Sequence, residues 1–298
     1  MRTLLVLLGP TGVGKTDLSI QLAHHFKSPI VSADSRQIYR EMKIGTAIPN
    51  AEQLAAVSHY FIGVRSIFDD YTAGKYEIDV LNLFDELFPK HPFIWLVGGS
   101  GLYIDAVCRG IDAIPATNNS LRKNLMEHLE KEGLESLRFE LRKLDPDIFE
   151  IIDIKNPQRV LRALEVCITS GKPYSQLRDN FSKNRDFRIL KIGLNIPRDE
   201  LYNRINQRVD LMMEQGLLDE AKNLYPYWRL NALKTVGYKE LFEYLHAKIS
   251  LDMAVEQIKR NTRHYAKRQL SWFARYDDIE WFTPADTEKI ITYISSKL

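Results

Sequence analysis

LLVLLGPTGVGKT, Leu4 to Thr16, is an apolar run that ends in a glycine-rich turn and leads straight into a helical pattern. Gly9, Gly14, Lys15 and Thr16 satisfy G-x-x-x-x-G-K-[ST], with Pro10, Thr11, Gly12 and Val13 between them. The strand before and the helix after supply the context that turns a string match into a phosphate-binding loop. Glycines let backbone N–H groups converge on phosphate oxygens, Lys15 supplies a mobile positive charge, and Thr16 offers a hydroxyl to Mg²⁺. The segment reads as a grip on a diphosphate beside a magnesium ion.

Working outward, short apolar runs recur between helix-length spacers: Ile30 to Ala33, Tyr60 to Val64, Phe93 to Val97, Ile189 to Ile196 and Ile279 to Phe282. Consecutive apolar positions suit strands covered on both faces, and the spacers suit parallel crossovers. The class is α/β, a P-loop core built on a parallel sheet. The pattern changes between residues 117 and 183, where Leu121, Leu125 and Leu129 form an i, i+4, i+8 stripe and no strand-like run intervenes. This predicts an all-helical insertion at 117–183 between core segments 1–116 and 184–298. Gly133, Asp145-Pro146, Asn156-Pro157 and Gly171-Lys172-Pro173 would separate its helices.

With 298 residues and 45% hydrophobic content the chain can bury a generous core. Lys and Arg outnumber Asp and Glu by only 41 to 39, so a nucleic-acid partner must be met by a local basic surface. Cys108 and Cys167 form no CxxC pair, which argues against a disulfide framework or a zinc site and points to a reducing, cytoplasmic setting. MRTLLVLLGP reads as a buried strand rather than a signal peptide, and no stretch approaches the ~20 apolar residues of a membrane span.

The strand at Ile30 ends in Asp34, within DSRQIY. Ligands of open parallel sheets sit beyond the carboxyl ends of the strands, so Asp34 should stand near the phosphates. There it is a general base, a metal ligand, or a cap on the following turn. The strand at Phe93 runs into Gly98-Gly99-Ser100-Gly101, with no Asp where a Walker-B carboxylate would sit, so a motor-type ATPase is disfavoured. Those glycines allow close approach of a ligand or simply a tight turn. From Val255 to Arg275, six Lys/Arg face one Glu, a formal +5, with Tyr265, Trp272 and Phe273 interleaved. Lys259, Arg263 and Lys267 form one i, i+4 row, and Arg260, His264 and Arg268 the next. Such a helix matches an RNA phosphate backbone or is a solvated basic face.

Together these segments resemble the tRNA dimethylallyltransferases, also called tRNA isopentenyltransferases. The likeness runs through GPTGVGKT, DSRQIY, MKIGTAIP, VGGSGLY, NPQRVLRALEV, RINQRVDLMMEQGLLDEAKNL, TVGYKEL and TRHYAKRQLSW, in the family's order over nearly the whole chain. The resemblance implies transfer of a dimethylallyl group from dimethylallyl diphosphate to N6 of adenosine 37, just 3′ of the tRNA anticodon. It implies a kinase-like P-loop core, an inserted helical domain, and a channel entered from opposite ends by the two substrates. By this similarity Asp34 is the base, and Lys15, Thr16 with Mg²⁺, and Arg208 hold the leaving diphosphate, Arg208 being preferred to Arg204 and Arg198. RNA contacts would come from Asp34, Ser35, Arg36, Gln37, Ser100, and the stretch Gln158, Arg159, Val160, Leu161 and Arg162. Arg122 joins them by position, and Lys259, Arg263 and Lys267 by the basic helix.

Departures are few. The loop reads Gly12-Val13 where bacterial relatives often read Ala-Ser, which leaves the phosphate-touching positions intact. Where many relatives read HHLID, this chain has His59-Tyr60-Phe61-Ile62-Gly63, so His59 is assigned no catalytic role. No Cys/His zinc finger follows Trp281, which suggests a bacterial-type enzyme; a monomer is expected. A small-molecule kinase, an adenylate isopentenyltransferase and a non-catalytic RNA-binding module are the alternatives. The helical insertion and the basic helix, surplus to a small acceptor, argue for RNA.

Overall fold

A computed structural model describes residues 2–112, 114–115, 118–178 and 182–298. Two compact units make up the chain, residues 1–109 with 184–298, and residues 110–183. Thr117, the expected first residue of the insertion, lies outside the described residues.

The larger unit is a six-stranded parallel sheet in a P-loop arrangement. In chain order it runs β1 (Thr3–Leu8), α1 (Lys15–His25), β2 (Ile30–Ser32), α2 (Ala51–Ala56), β3 (His59–Tyr60), α3 (Ala73–Leu87), β4 (Phe93–Gly98) and α4 (Gly101–Arg109). The helical unit follows with α5 (Asn119–Leu144), α6 (Pro146–Ile151), α7 (Pro157–Ser170) and α8 (Tyr174–Leu177). The chain then returns with β5 (Arg188–Leu194), α9 (Arg198–Glu214), α10 (Leu217–Leu224), α11 (Tyr238–Leu245), α12 (Leu251–Phe273), β6 (Ile279–Phe282) and α13 (Thr287–Lys297). The strands lie in the order β3-β2-β4-β1-β5-β6.

β1 is central, with Leu8 level with Gly98 of β4 on one side and Gly193 of β5 on the other. Its five consecutive aliphatic residues are fully buried because successive side chains enter opposite faces. Leu4, Val6 and Leu8 pack with Tyr76, Val80 and Phe84 of α3 and Ile104 of α4. Leu5 and Leu7 pack with Leu18 and Leu22 of α1 and Ile290 and Ile294 of α13. A third cluster joins Ile38 and Met42 to Val209, Leu217, Leu241 and Ile258, so α9 to α12 form a helical layer beside the segment that follows β2.

The expected strand Tyr60 to Val64 is a correction. Pairing with β2 stops at Tyr60, because Phe61 and Gly63 both adopt positive φ and the chain bends away. Tyr39 and Arg65 resume a single bridge beyond the bend. Two left-handed residues interrupt the apolar run, so it does not continue as a strand.

In the helical unit the predicted punctuation has visible causes. Gly133, at φ 82°, breaks the helical geometry inside α5. Asp145 caps α6 by accepting from Ile148 N–H at 3.0 Å, and Asn156 caps α7 by accepting from Gln158 N–H at 3.0 Å. Gly171 ends α7 in the left-handed region. Leu125, Leu137, Leu141, Val160, Leu161 and Leu164 form this unit's own core. Truncating Leu164, fully buried here, to Ala should cost about 2–5 kcal/mol in urea denaturation. Phe139→Ala, on the exposed side of α5, should stay within about 0.5 kcal/mol.

Candidate active site

The phosphate loop joins β1 to α1. Gly12 and Gly14 take positive φ, and Gly14 stands at the start of α1, whose first-turn N–H groups have no intrahelical acceptor. Val13 points into the core and is fully buried, so it offers the site only its backbone. Lys15 Nζ donates to the carbonyls of Gly9 at 2.9 Å and Pro10 at 2.8 Å. Its ammonium is pushed down to about 7, chiefly by burial, with the Arg208 charge adding to the effect and Asp34 opposing it.

Asp34 follows β2, and of its three readings the cap is visible directly. Oδ1 caps the next turn, accepting from Arg36 N–H at 2.8 Å and Gln37 N–H at 3.3 Å. Oδ2 has no hydrogen-bond partner among the described residues. The cap therefore orients the carboxylate while leaving one oxygen for a ligand. Ser35 N–H donates to Ser100 Oγ at 2.9 Å, and Ser100 in turn donates to Ser35 Oγ at 3.1 Å, which ties the DSRQIY turn to the end of β4.

Asp34, Ser35 and Arg36 share a cleft of about 340 Å³ with Thr11 and Arg208. Arg208 makes no hydrogen bond or ion pair among the described residues, and burial lowers its pKa while the charges of Asp34 and Asp17 hold it up. Arg204 is occupied elsewhere, bonded to Glu200 at 2.7 Å and to the Val13 carbonyl at 3.3 Å. Arg198 lies over the Tyr202 ring. The Thr16 hydroxyl also has no partner among the described residues, so it is a side-chain oxygen that could meet a hard cation.

Other expected contacts have structural duties. Gln37 donates from Nε2 to the carbonyls of Thr46 at 3.2 Å and Ala47 at 3.1 Å, bracing the MKIGTAIP loop. Lys259 is drawn to Asp210 at 2.7 Å and Glu256 at 3.2 Å, and Arg263 donates to Asn206 at 2.6 Å. These two thus face α9, and Lys267 lines a separate groove with Tyr202 and Leu270. The cleft wall of α12 is instead Ile258, Thr262, Tyr265 and Arg268. Sequence reasoning did not single out this stripe as a site, because charge, not the apolar and small residues beside it, selected the row. It also passed over Lys234, just before TVGYKEL, and Lys239, in the first turn of α11, which line the same cleft.

In the helical unit, Arg122 and Arg162 both reach Glu165 Oε2, at 3.2 and 3.1 Å, and Arg122 donates to Gln158 Oε1 at 2.8 Å. Arg159 is exposed. Val160 and Leu161, expected among the RNA contacts, are buried at 0% and 1% exposure, so their side chains cannot reach an RNA. A motif carried over whole includes the residues that only hold its helix in place. His59 Nδ1 donates to the Val57 carbonyl at 2.7 Å, as a strand-end residue.

The lowered Lys15 pKa gives a signed prediction. Near pH 8 much of the amine is neutral, and an incoming diphosphate raises its pKa, so binding takes up a proton. Calorimetry of inorganic diphosphate binding in buffers of different ionisation enthalpy should read uptake of up to about one proton more for wild type than for Lys15→Arg, whose guanidinium stays charged. Near pH 6, where Lys15 is already protonated, the difference should vanish.

Comparison with known proteins places this geometry. Residues 37–276 match the family model described as IPP transferase. The chain is 52% identical to tRNA dimethylallyltransferase 1 of Phocaeicola vulgatus over 294 residues, which is 99% of this chain and 98% of that one. It is also 52% identical to tRNA dimethylallyltransferase 2 of Parabacteroides distasonis over 298 residues, covering 100% of both. Among solved structures it resembles the full-length tRNA isopentenylpyrophosphate transferase of Bacillus halodurans, with TM-score 0.74, 34% identity, and coverage of 100% of this chain and 97% of that one. It resembles a eukaryotic dimethylallyltransferase acting on tRNA, with TM-score 0.79, 26% identity, and coverage of 100% and 77%. A phosphate loop facing a lone capped aspartate, in a sequence matched from end to end by these relatives, makes the chain a member of the IPP transferase family.

Proposed function

We propose that this chain transfers the dimethylallyl group of dimethylallyl diphosphate to N6 of adenosine 37 in tRNA. The observation that carries the reading is the shared cleft of Asp34 and Arg208 beside the phosphate loop, together with a β4 that ends in glycines where an ATPase would carry an acid.

The N6 amine is a weak nucleophile because its lone pair is delocalised into the purine ring. As N6 forms its bond to the allylic carbon, the C–O bond to diphosphate breaks and the N6 proton passes to Asp34 Oδ2. The cap on Oδ1 keeps Oδ2 aimed, so little reorganisation is needed when the base acts. Charge growing on the diphosphate meets Lys15, Arg208 and the N–H groups of the loop. Among the described residues no group of three His, Cys, Asp or Glu surrounds a metal position. Mg²⁺ usually takes few protein ligands and fills its shell with water and phosphate oxygens; here Thr16 would hold it. When bound, it neutralises charge on the diphosphate oxygens.

Drawing the adenosine out of the anticodon loop costs on the order of a few kcal/mol. Arg36, Lys234, Lys239 and Arg268 around the cleft, with Ser35 and Ser100, would offset it through phosphate and base contacts, as would the exposed Arg159. We take the enzyme to act as a monomer in the cytoplasm. No described helix is long and apolar enough to cross a membrane.

The direct test is unmodified tRNA incubated with the protein, dimethylallyl diphosphate and Mg²⁺, followed by nucleoside mass analysis. A mass gain of one dimethylallyl group on adenosine 37 is expected; phosphate transfer from ATP to a small acceptor would overturn the reading. Asp34→Asn keeps the Oδ1 acceptor and so the turn, yet removes the base. Its kcat should fall ~10² to 10⁴-fold while tRNA affinity stays within about threefold.

A further inference from the structure

Gln269 sits on α12 at 5% exposure, with its amide between two loops at the carboxyl edge of the sheet. Oε1 accepts from Thr11 N–H at 2.8 Å, and Nε2 donates to the Gly99 carbonyl at 2.8 Å. Only one orientation of the amide serves both, since a backbone N–H needs an acceptor and a carbonyl needs a donor. Space for it is reserved: a Cβ at Gly99 would overlap Gln269 Nε2.

From this we infer that Gln269 is a positioning residue of the phosphate loop, setting Gly9 to Thr11 so that the following N–H groups converge on the diphosphate. The inference rests on the reading of that loop given above. Lys15 holds the same stretch from inside through the Gly9 and Pro10 carbonyls, but it must release them to reach a phosphate oxygen. Arg204 holds only the far side of the loop, at Val13. Gln269 is therefore the side chain that keeps the near side in place during the reaction. It directly follows Arg268 and lies one turn from Tyr265, both in the cleft wall, so one rigid helix sets the phosphate loop and the acceptor-facing surface together.

Two variants separate positioning from packing. Gln269→Met keeps the volume and loses both hydrogen bonds, leaving Thr11 N–H and the Gly99 carbonyl unmet. KM for dimethylallyl diphosphate and the dissociation constant for inorganic diphosphate should rise roughly tenfold or more, with tRNA affinity within about threefold. Gln269→Glu keeps the acceptor for Thr11 but sets a carboxylate against the Gly99 carbonyl; once protonated, the acid reproduces the amide's donor and acceptor. Its activity relative to wild type at the same pH should climb as pH falls, whereas the Met variant's ratio should stay flat. A Met variant with lowered thermal stability but wild-type KM, kcat and diphosphate affinity per folded molecule would reduce Gln269 to packing and sink the inference. If wild type itself binds diphosphate but transfers no dimethylallyl group, the functional reading fails; the diphosphate titration of both proteins still decides the positioning role.

Discussion

Backbone approaches backbone at the carboxyl edge of this sheet so closely that side chains are excluded, and the site depends on that exclusion. A Cβ at Gly98 would run into the Ala33 carbonyl, and one at Gly9 would stand 2.6 Å from the Leu194 carbonyl oxygen. One at Gly101 would enter the Trp272 ring. The run Gly98-Gly99-Ser100-Gly101 therefore makes room for the chain's own parts, the end of β2 and helix α12, rather than for a ligand. With that room, α12 can lie across the strand ends, donate from Trp272 Nε1 to Asp105 at 3.1 Å, and bring Tyr265 and Gln269 over the loops.

A second constraint is electrostatic. The cleft collects Arg36, Arg208, Lys234, Lys239 and Arg268 around the single carboxylate of Asp34. Cations held this close to one another and partly out of water favour a polyanionic occupant over a neutral one. Burial, with the Arg208 charge adding to it, lowers the Lys15 pKa, so the loop's charge adapts to what binds. The neighbouring wall is held without using these cations: Glu220 accepts from the N–H groups of Lys43, Ile44 and Gly45 at 2.9 Å and from Tyr238 Oη at 2.7 Å. That carboxylate caps three consecutive donors of the MKIGTAIP loop and leaves the loop's other side, Gly45 and Thr46, to the cleft.

Much of this was legible in the residues. The phosphate loop, the missing acid after β4, the place of Asp34 and the helical unit all follow from local patterns whose physics is local: φ freedom at glycine, periodicity, capping. What was not legible shares a cause as well. Tyr60 to Val64 is apolar enough for a strand, yet Phe61 and Gly63 are left-handed, with Gly63 N–H bonded to the Gln37 carbonyl and Phe61 against the Tyr76 ring. Lys259 and Arg263 look free on a helical wheel, and only the arrival of α9 gives them Asp210 and Asn206 as partners. Val160 and Leu161 sit inside a basic motif, and only the packing of α7 on α5 decides that they point inward.

By itself, the sequence determined the chemistry available to this protein: a loop that can hold phosphate, a carboxylate at the end of the second strand, arginines spaced along helices, and the family to which these belong. Those signals lie within a few residues of one another, where bond geometry and helix or strand period dictate which groups can act together. The tertiary structure alone decided which face of α12 looks into the cleft, which cations are spent on neighbours, and that a glutamine 258 residues from Thr11 braces the phosphate loop. Such choices depend on which surfaces meet when the core closes, and a hydrogen bond across that distance leaves no periodic trace in the chain that makes it.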